Sequence, residues 1–229
     1  MTAQDQTADI AWRDGDVPVS TRFDDPYFSL SGGLAETRHV FLAGNDLPAR
    51  LQGGFHIAEL GFGTGLNMLT TALAFAATGR AGRLIYTAFE AYPVAASDLA
   101  RALDAFPETA FLAAAFIRQW QDGPVIDLPG IRAEIIIGDA RETLPAWAGR
   151  ADAWYLDGFS PARNPQMWEP ALLAQVATHT APCGTFATYT AAGFVRRALQ
   201  EAGFQVERRQ GFGTKRHMTA GHLPPDRTR

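Results

Sequence analysis

Residues 55–77, FHIAELGFGTGLNMLTTALAFAA, pass from a short apolar strand pattern through a glycine-rich turn into apolar residues at helical spacing. Glycines at such a junction let backbone approach a ligand closely, and in open α/β sheets the junction lies on the rim where ligands bind. The spacing restricts what that ligand can be. A dinucleotide fingerprint starting at Gly61 needs its third glycine at position 66, which is Leu66; Gly65 comes one residue early. A phosphate-cradling P-loop needs Gly-Lys-Ser/Thr, and Gly65 is followed by Leu66 and Asn67. Both nucleotide-phosphate readings weaken.

Further strand patterns follow at RLIYTAFE (83–90), RAEIIIGD (132–139), ADAWYLD (151–157) and GTFATYT (184–190), separated by helical segments. One of these, 93–106, carries Pro93 where it suits a first turn. The strands are continuous apolar runs rather than two-periodic ones, and each return needs a crossover, so the sheet is parallel. FQVERRQ (204–210) and KRHMTAGHL (215–223), joined by a tight GFGT connection, close the chain with a hairpin that sets one antiparallel strand in the sheet. The expected fold class is α/β: a Rossmann-like, mostly parallel seven-stranded sheet with one antiparallel strand, over residues 53–222. Residues 1–52, with a short helical pattern from Leu34 to Leu42, are expected to form an N-terminal extension packed on it, and 223–229 a flexible tail.

With 229 residues, 47% apolar and 19% charged, one substantial core is expected. No window approaches the roughly 20 apolar residues of a membrane span, and the polar, acidic N-terminus lacks a basic-then-apolar leader, so the expected location is the cytoplasm. The single cysteine, Cys183, precludes an internal disulfide and reads as a small core residue. The formal charge of −4 argues against a nucleic-acid partner, but it is unevenly spread. Residues 183–229 hold eight bases (Arg196, Arg197, Arg208, Arg209, Lys215, Arg216, Arg227, Arg229) against three acids (Glu201, Glu207, Asp226), a local +5, leaving −9 on residues 1–182. That leaves room for a basic patch; the alternative is solvated faces of a helix and a strand. No histidine–cysteine–acid grouping has metal-ligand spacing, so no metal is expected.

The E-x-G-x-G-x-G pattern of Glu59, Gly61, Gly63 and Gly65 resembles the first motif of class I S-adenosylmethionine-dependent methyltransferases, whose loop takes the methionine part of a cofactor without phosphate. Two acids stand on the same rim. Glu90 ends the second strand, where a carboxylate can accept ribose hydroxyls, and Asp139-Ala140 follows the third, where an acid beside a backbone N–H can read an adenine amino edge. Either acid could instead cap the helix that follows. Asp157, at the end of the fourth strand, likewise either caps or does chemistry.

Four blocks sharpen the resemblance. PVSTRFDDPYFS (18–29) with GLAETRHVFLAGNDLP (33–48), ELGFGTGLN (59–67), YLDGFSPARNPQMW (155–168) and GFGTKRHM (211–218), in this order, resemble the methyltransferase of the bacterial MnmC family. That family completes 5-methylaminomethyl-2-thiouridine at the tRNA wobble position, and the likeness runs from about Pro18 to Met218. It implies S-adenosylmethionine as cofactor, held by Glu59, Gly61, Gly63, Gly65, Asn67, Glu90, Asp139, Ala140 and Asp157, with Asp157 and Phe159 beside the methyl group and the accepting amine. It also implies tRNA, through its anticodon loop, as partner, with Tyr27, Phe28, Arg163, Lys215 and Arg216 as substrate contacts.

The chemistry agrees with that implication. An aliphatic amine with a pKa of about 10 arrives as ammonium, which a carboxylate attracts and orients, and a carboxylate also stabilises the charge arriving on nitrogen. Phe159 would pack on the uracil or shield the amine, or else simply close the core as a loop aromatic. Tyr27 and Phe28 could stack on a splayed-out base. In this family the methyltransferase is often fused to a C-terminal FAD-dependent oxidase. This chain ends at Arg229 without one, so it resembles a stand-alone form, FAD is not expected, and a separate wobble-uridine-modifying enzyme is expected to supply the aminomethyl substrate. The alternative is a class I methyltransferase acting on a small amine or a protein; an RNA-binding module without turnover is disfavoured by the intact Glu59, Gly61, Gly63, Gly65 and Asp157.

Overall fold

The computed structural model describes residues 7–13, 16–29 and 32–225. Expectations for residues 1–6 and for 226–229 of the tail therefore lie outside the described residues. The chain begins with a small antiparallel sheet of β1 (Ile10–Arg13), β2 (Val17–Ser20) and the two-residue β3 (Asp25–Pro26). The helical pattern expected over Leu34–Leu42 is present but not uniform: α1 (Gly33–Thr37) widens into a π turn over Arg38–Leu42 and tightens into a 3₁₀ turn over Ala43–Asn45.

The alternation then unfolds as the periodicity requires, with β4 (His56–Leu60), α2 (Leu66–Ala77), β5 (Leu84–Glu90), α3 (Ala96–Leu103), α4 (Ala110–Trp120) and β6 (Val125–Leu128). It continues with β7 (Ile131–Ile137), α5 (Ala140–Ala146), β8 (Ala151–Leu156), α6 (Pro170–Thr178), β9 (Thr180–Thr188), α7 (Gly193–Glu201) and the hairpin β10 (Gln205–Gln210) and β11 (His217–His222). The main sheet has the order β10-β11-β9-β8-β4-β5-β7-β6, and β9, β8, β4, β5 and β7 are mutually parallel. β11 opposes β9, as the terminal hairpin predicts.

Among the described residues this sheet has eight strands, one more than expected, because β6 adds an antiparallel edge beside β7. Its four residues alternate exposed and buried, and Gly130 at φ +80° closes the turn into β7. A four-residue edge strand carries too short a pattern to stand out from a loop. Pro93 also departs from expectation. α3 starts at Ala96, and the Pro93 carbonyl instead accepts from the Ala8 N–H at 3.0 Å, tying the N-terminal segment to the domain.

Alternate side chains of the central strands point to opposite faces, and both faces are covered. One core gathers Ile57, Tyr86, Ile135 and Tyr155 under α2 and α4, and includes Val40, Phe41, Leu42, Leu47 and Leu51 of the N-terminal segment. The other gathers Leu60, Phe89, Trp154 and Phe186 under α5, α6 and α7. Truncating a residue such as Leu51, fully buried in the first core, is expected to cost about 2–5 kcal/mol, read as a lower thermal midpoint. Cys183 corrects an expectation: it is exposed, at φ +61° where β9 departs from regular pairing with β8, and it packs in no core. Leu223 is tied down, its N–H donating to the Gly184 carbonyl at 2.8 Å.

From β4 the chain winds outward to β5 and β7 on one side and later to β8 and β9 on the other. The order reverses between β4 and β8, so their carboxyl ends diverge into a crevice, the position where open α/β sheets bind ligands.

Candidate active site

The register that pairs Leu60 with Leu156 brings Gly61 and Asp157 side by side at that crevice. Gly61, at φ +82°, is favoured by contact as well as by conformation, since a Cβ there would lie 3.0 Å from the Gly158 Cα and the backbone of Gly158 would have to shift. The crevice opens as a cavity of about 1150 Å³ lined by Gly61, Gly63, Asn67, Glu90, Asp139, Ala140 and Asp157, and by Tyr27, Phe28, Phe159, Arg163 and Lys215.

Three of the expected contacts lie elsewhere. Gly65 is buried at the start of α2 under Phe62 and Phe116, a packing position. Glu59 is fully buried beneath the loop and does not line the cavity. Its carboxylate accepts from Asn67 Nδ2 at 2.6 Å and from the Tyr86 hydroxyl at 2.9 Å, and burial first, then the nearby Asp157 charge, push its pKa well above the usual carboxylate range. It is thus a support for Asn67. Arg216 is exposed and outside the cavity.

Asn67 is the hub of the floor. Its Oδ1 accepts from the Thr37 hydroxyl at 2.7 Å, while Nδ2 donates both to Glu59 and to Asp157 Oδ2, the latter at 2.8 Å. Asp157 Oδ1 accepts from the Gly158 N–H at 2.8 Å. Burial raises the Asp157 pKa to about 6; the bonds from Gly158 and Asn67 and the charge of Lys215 oppose the rise, and Glu36 adds to it. Asp157 is therefore a carboxylate at neutral pH with a proton affinity well above that of a free aspartate.

Glu90 caps no helix. Its two oxygens accept from the N–H groups of Gly63 (2.9 Å) and Tyr92 (2.8 Å), which hold the glycine loop against the end of β5. Burial raises its pKa, and these backbone donors limit the rise. Asp139 combines both readings of its position, capping α5 through the Arg141 N–H at 2.9 Å while lining the cavity. Its side-chain bond to Arg141, the largest influence, holds its pKa below the usual value.

One wall of the cavity is aromatic and comes from two distant segments. Phe159 stacks on Phe23 with centroids 4.7 Å apart and meets the edge of Tyr27 at 5.1 Å. Asp25 Oδ2 accepts from the Ser160 N–H at 2.7 Å, and the Phe159 carbonyl accepts from Trp168 Nε1 at 2.9 Å, so the N-terminal segment and the loop after β8 form one surface. The Phe28 ring meets Phe106 edge-on at 5.0 Å, and Arg163 pairs with Asp24 at 3.2 Å. At the mouth Lys215 Nζ lies 2.7 Å from Glu36 Oε1 and 4.3 Å from the Tyr189 ring centroid, and the Tyr189 hydroxyl donates to the Gly158 carbonyl at 2.8 Å.

Phe23, Asp25, Glu36 and Tyr189 also line the cavity, and no sequence motif singles them out. Tyr189 follows the end of β9 and so obeys the same rim rule that singles out Asp157; the other three had no local signal. Among the described residues no three metal-ligating side chains converge, and no helix is long and apolar enough to cross a membrane.

A family model described as S-adenosyl-L-methionine-dependent methyltransferase matches residues 107–224, just over half of the chain. The tRNA 5-methylaminomethyl-2-thiouridine biosynthesis bifunctional protein MnmC of Stutzerimonas stutzeri (strain A1501) is 44% identical over 240 residues, covering 96% of this chain and 36% of that protein. The protein of the same description from Chromobacterium violaceum is 43% identical over 237 residues, covering 96% and 35%. The chain spans about a third of the length of these curated relatives. Among solved structures, MnmC2 from Aquifex aeolicus superposes with a TM-score of 0.74 at 22% identity, over 98% of this chain and 74% of that one. A precorrin-6y C5,15-methyltransferase from Geobacter metallireducens superposes at 0.52 with 14% identity, over 93% and 98%. Both are likenesses of fold.

Proposed function

The chain belongs to the S-adenosyl-L-methionine-dependent methyltransferases, and from that premise we propose that it N-methylates 5-aminomethyl-(2-thio)uridine at the tRNA wobble position, giving 5-methylaminomethyl-(2-thio)uridine. The observation that carries the reading is Asp157, an anchored carboxylate on the floor of an aromatic-walled cavity beside a glycine loop. The relatives described as tRNA 5-methylaminomethyl-2-thiouridine biosynthesis proteins support the choice of substrate.

The residues present suit the cofactor. Gly61 and Gly63 bring bare backbone to the cavity, and the carboxylates of Glu90, Asp139 and Asp157 face it, a lining that favours a cationic sulfonium and ammonium. When bound, S-adenosylmethionine supplies an electrophilic methyl group: the amine lone pair forms the N–C bond as the C–S pair returns to sulfur. Asp157 draws the substrate ammonium to the reacting position and stabilises the positive charge that nitrogen gains. The bound ammonium must first release one proton to expose the lone pair; with its pKa at about 6 Asp157 cannot keep a proton from an amine of about 10, so that proton passes to solvent before attack, and orientation and electrostatics are the part of the carboxylate. Phe159, Tyr27 and Phe28 receive the splayed-out base.

Arg163, Lys215 and Arg216 would meet phosphates of the anticodon arm. The double variant Arg163→Ala/Arg216→Ala is expected to weaken tRNA binding and lower the slope of log K against log salt by about 2, as loss of two phosphate contacts requires. Equal affinity at every salt concentration would place the RNA elsewhere. The reading sets the enzyme in the cytoplasm, acting after a wobble-uridine-modifying activity that supplies the aminomethyl group.

The deciding experiment is label transfer from methyl-labelled S-adenosylmethionine to tRNA bearing 5-aminomethyl-2-thiouridine, with small amines and protein as parallel acceptors. Label in tRNA is expected. Label only in small amines or protein would replace this reading with a methyltransferase of that substrate class.

A further inference from the structure

We propose that Glu36 and the face of Tyr189 form the subsite that recognises the primary ammonium of the substrate, and that Lys215 fills this subsite in the free protein as an internal mimic. The proposal rests on the amine-methylating reading above, whose acceptor carries a CH₂–NH₃⁺ group. Lys215 ends in the same chemical group. Its Nζ sits 2.7 Å from Glu36 Oε1 and 4.3 Å from the Tyr189 centroid, a carboxylate and an aromatic face disposed about one alkylammonium.

The two sides of this pair differ in fixity. The Glu36 side chain is 14% exposed and stands in α1, whereas that of Lys215 is 45% exposed and belongs to the connection between β10 and β11. The acid is thus a built-in element and the cation the part free to leave. An ordinary surface ion pair contributes little to stability, so a strap is a weak reason to place a lysine at this mouth.

The subsite adjoins the reacting carboxylate through both of its members. Thr37, next to Glu36, donates to Asn67, which in turn donates to Asp157. The Tyr189 hydroxyl donates to the carbonyl of Gly158, the residue after Asp157. The charges of Glu36 and Lys215 both act on Asp157, in opposite senses, and those of Asp157, Asp25 and Glu36 all act on the Tyr189 hydroxyl. An ammonium that displaces Lys215 is therefore held by Glu36 at the approach to Asp157, whose charge draws it onward for transfer, and it frees Lys215 to meet phosphate.

The test uses the whole chain loaded with S-adenosylhomocysteine and methylammonium as the probe, with binding followed by calorimetry and folding by thermal unfolding. Lys215→Met keeps most of the length of the side chain and removes its charge; it is expected to bind methylammonium about 10-fold more tightly than the unsubstituted protein. Adding Glu36→Gln is expected to abolish that gain, and Tyr189→Leu to reduce it. Equal affinity in Lys215→Met and the unsubstituted protein would overturn the proposal, as would a gain that survives Glu36→Gln in a folded protein. Because the probe is a free amine, these outcomes do not depend on tRNA. A gain in methylammonium binding without methylation of tRNA would sink the choice of tRNA as substrate and leave the subsite standing.

Discussion

Asp157→Asn is expected to slow single-turnover methylation of aminomethyl-bearing tRNA about 100-fold or more, while the chain stays folded and retains its cofactor. The amide still accepts from the Gly158 N–H, but it turns an NH₂ toward Asn67 Nδ2, where the carboxylate accepts a bond. Losing that bond costs about 1–3 kcal/mol and leaves the backbone of the site in place. The charge that orients the ammonium is gone. A destabilised but fully active variant would make Asp157 structural.

The pH dependence checks the same assignment. Burial holds the Asp157 pKa at about 6 in the free protein, so kcat/KM is expected to fall as pH drops through about 6 and the carboxylate protonates. In Asp157→Asn this acid limb should be absent from the residual activity. The stability linkage has the opposite sign to that of an ion-paired aspartate. The folded pKa lies above the unfolded value, about 3.9, so between pH 4 and 6 the folded state holds the proton that the unfolded state has lost. Ionising Asp157 therefore lowers stability as pH rises through that window, and a bound cation should offset the loss.

Gly63→Val is expected to reduce S-adenosylmethionine affinity by more than about 100-fold in calorimetry, with unfolding still cooperative. Gly63 has φ +54°, where a β-branched residue is strained by roughly 1–3 kcal/mol, and its Cβ would lie 3.3 Å from Tyr27 Cδ1. The branches would occupy the cavity, and any relief of strain would disturb the Gly63 N–H bond to Glu90. Position 63 is a sharper test than position 61. A side chain at Gly61 would collide with the backbone of Gly158 and displace Asp157 as well, so loss of binding there would not separate the two. Unchanged affinity in Gly63→Val would move the methionine portion of the cofactor away from this loop.

The parallel strands, the helices between them, the terminal hairpin and the rim on which Gly61, Glu90, Asp139 and Asp157 stand are legible in the amino-acid sequence alone. Each is written in a local pattern: apolar runs of strand length, helical spacing, and glycines or acids at strand ends. The ordered motif blocks added the family. Tertiary structure decided what those residues do to one another. It set Glu59 under the loop instead of in the cavity, made Asn67 the link between Thr37 and Asp157, brought Asp25 to Ser160, and seated Lys215 on Glu36. It also exposed Cys183 and added β6 to the sheet edge. The Thr37–Asn67, Asn67–Asp157, Asp25–Ser160 and Glu36–Lys215 bonds span 30, 90, 135 and 179 residues of chain. No periodicity encodes a bond across such a separation, because the partner is chosen by how the sheet register and the packed N-terminal segment meet in space, and a side chain at the rim has no preference for that partner until both arrive.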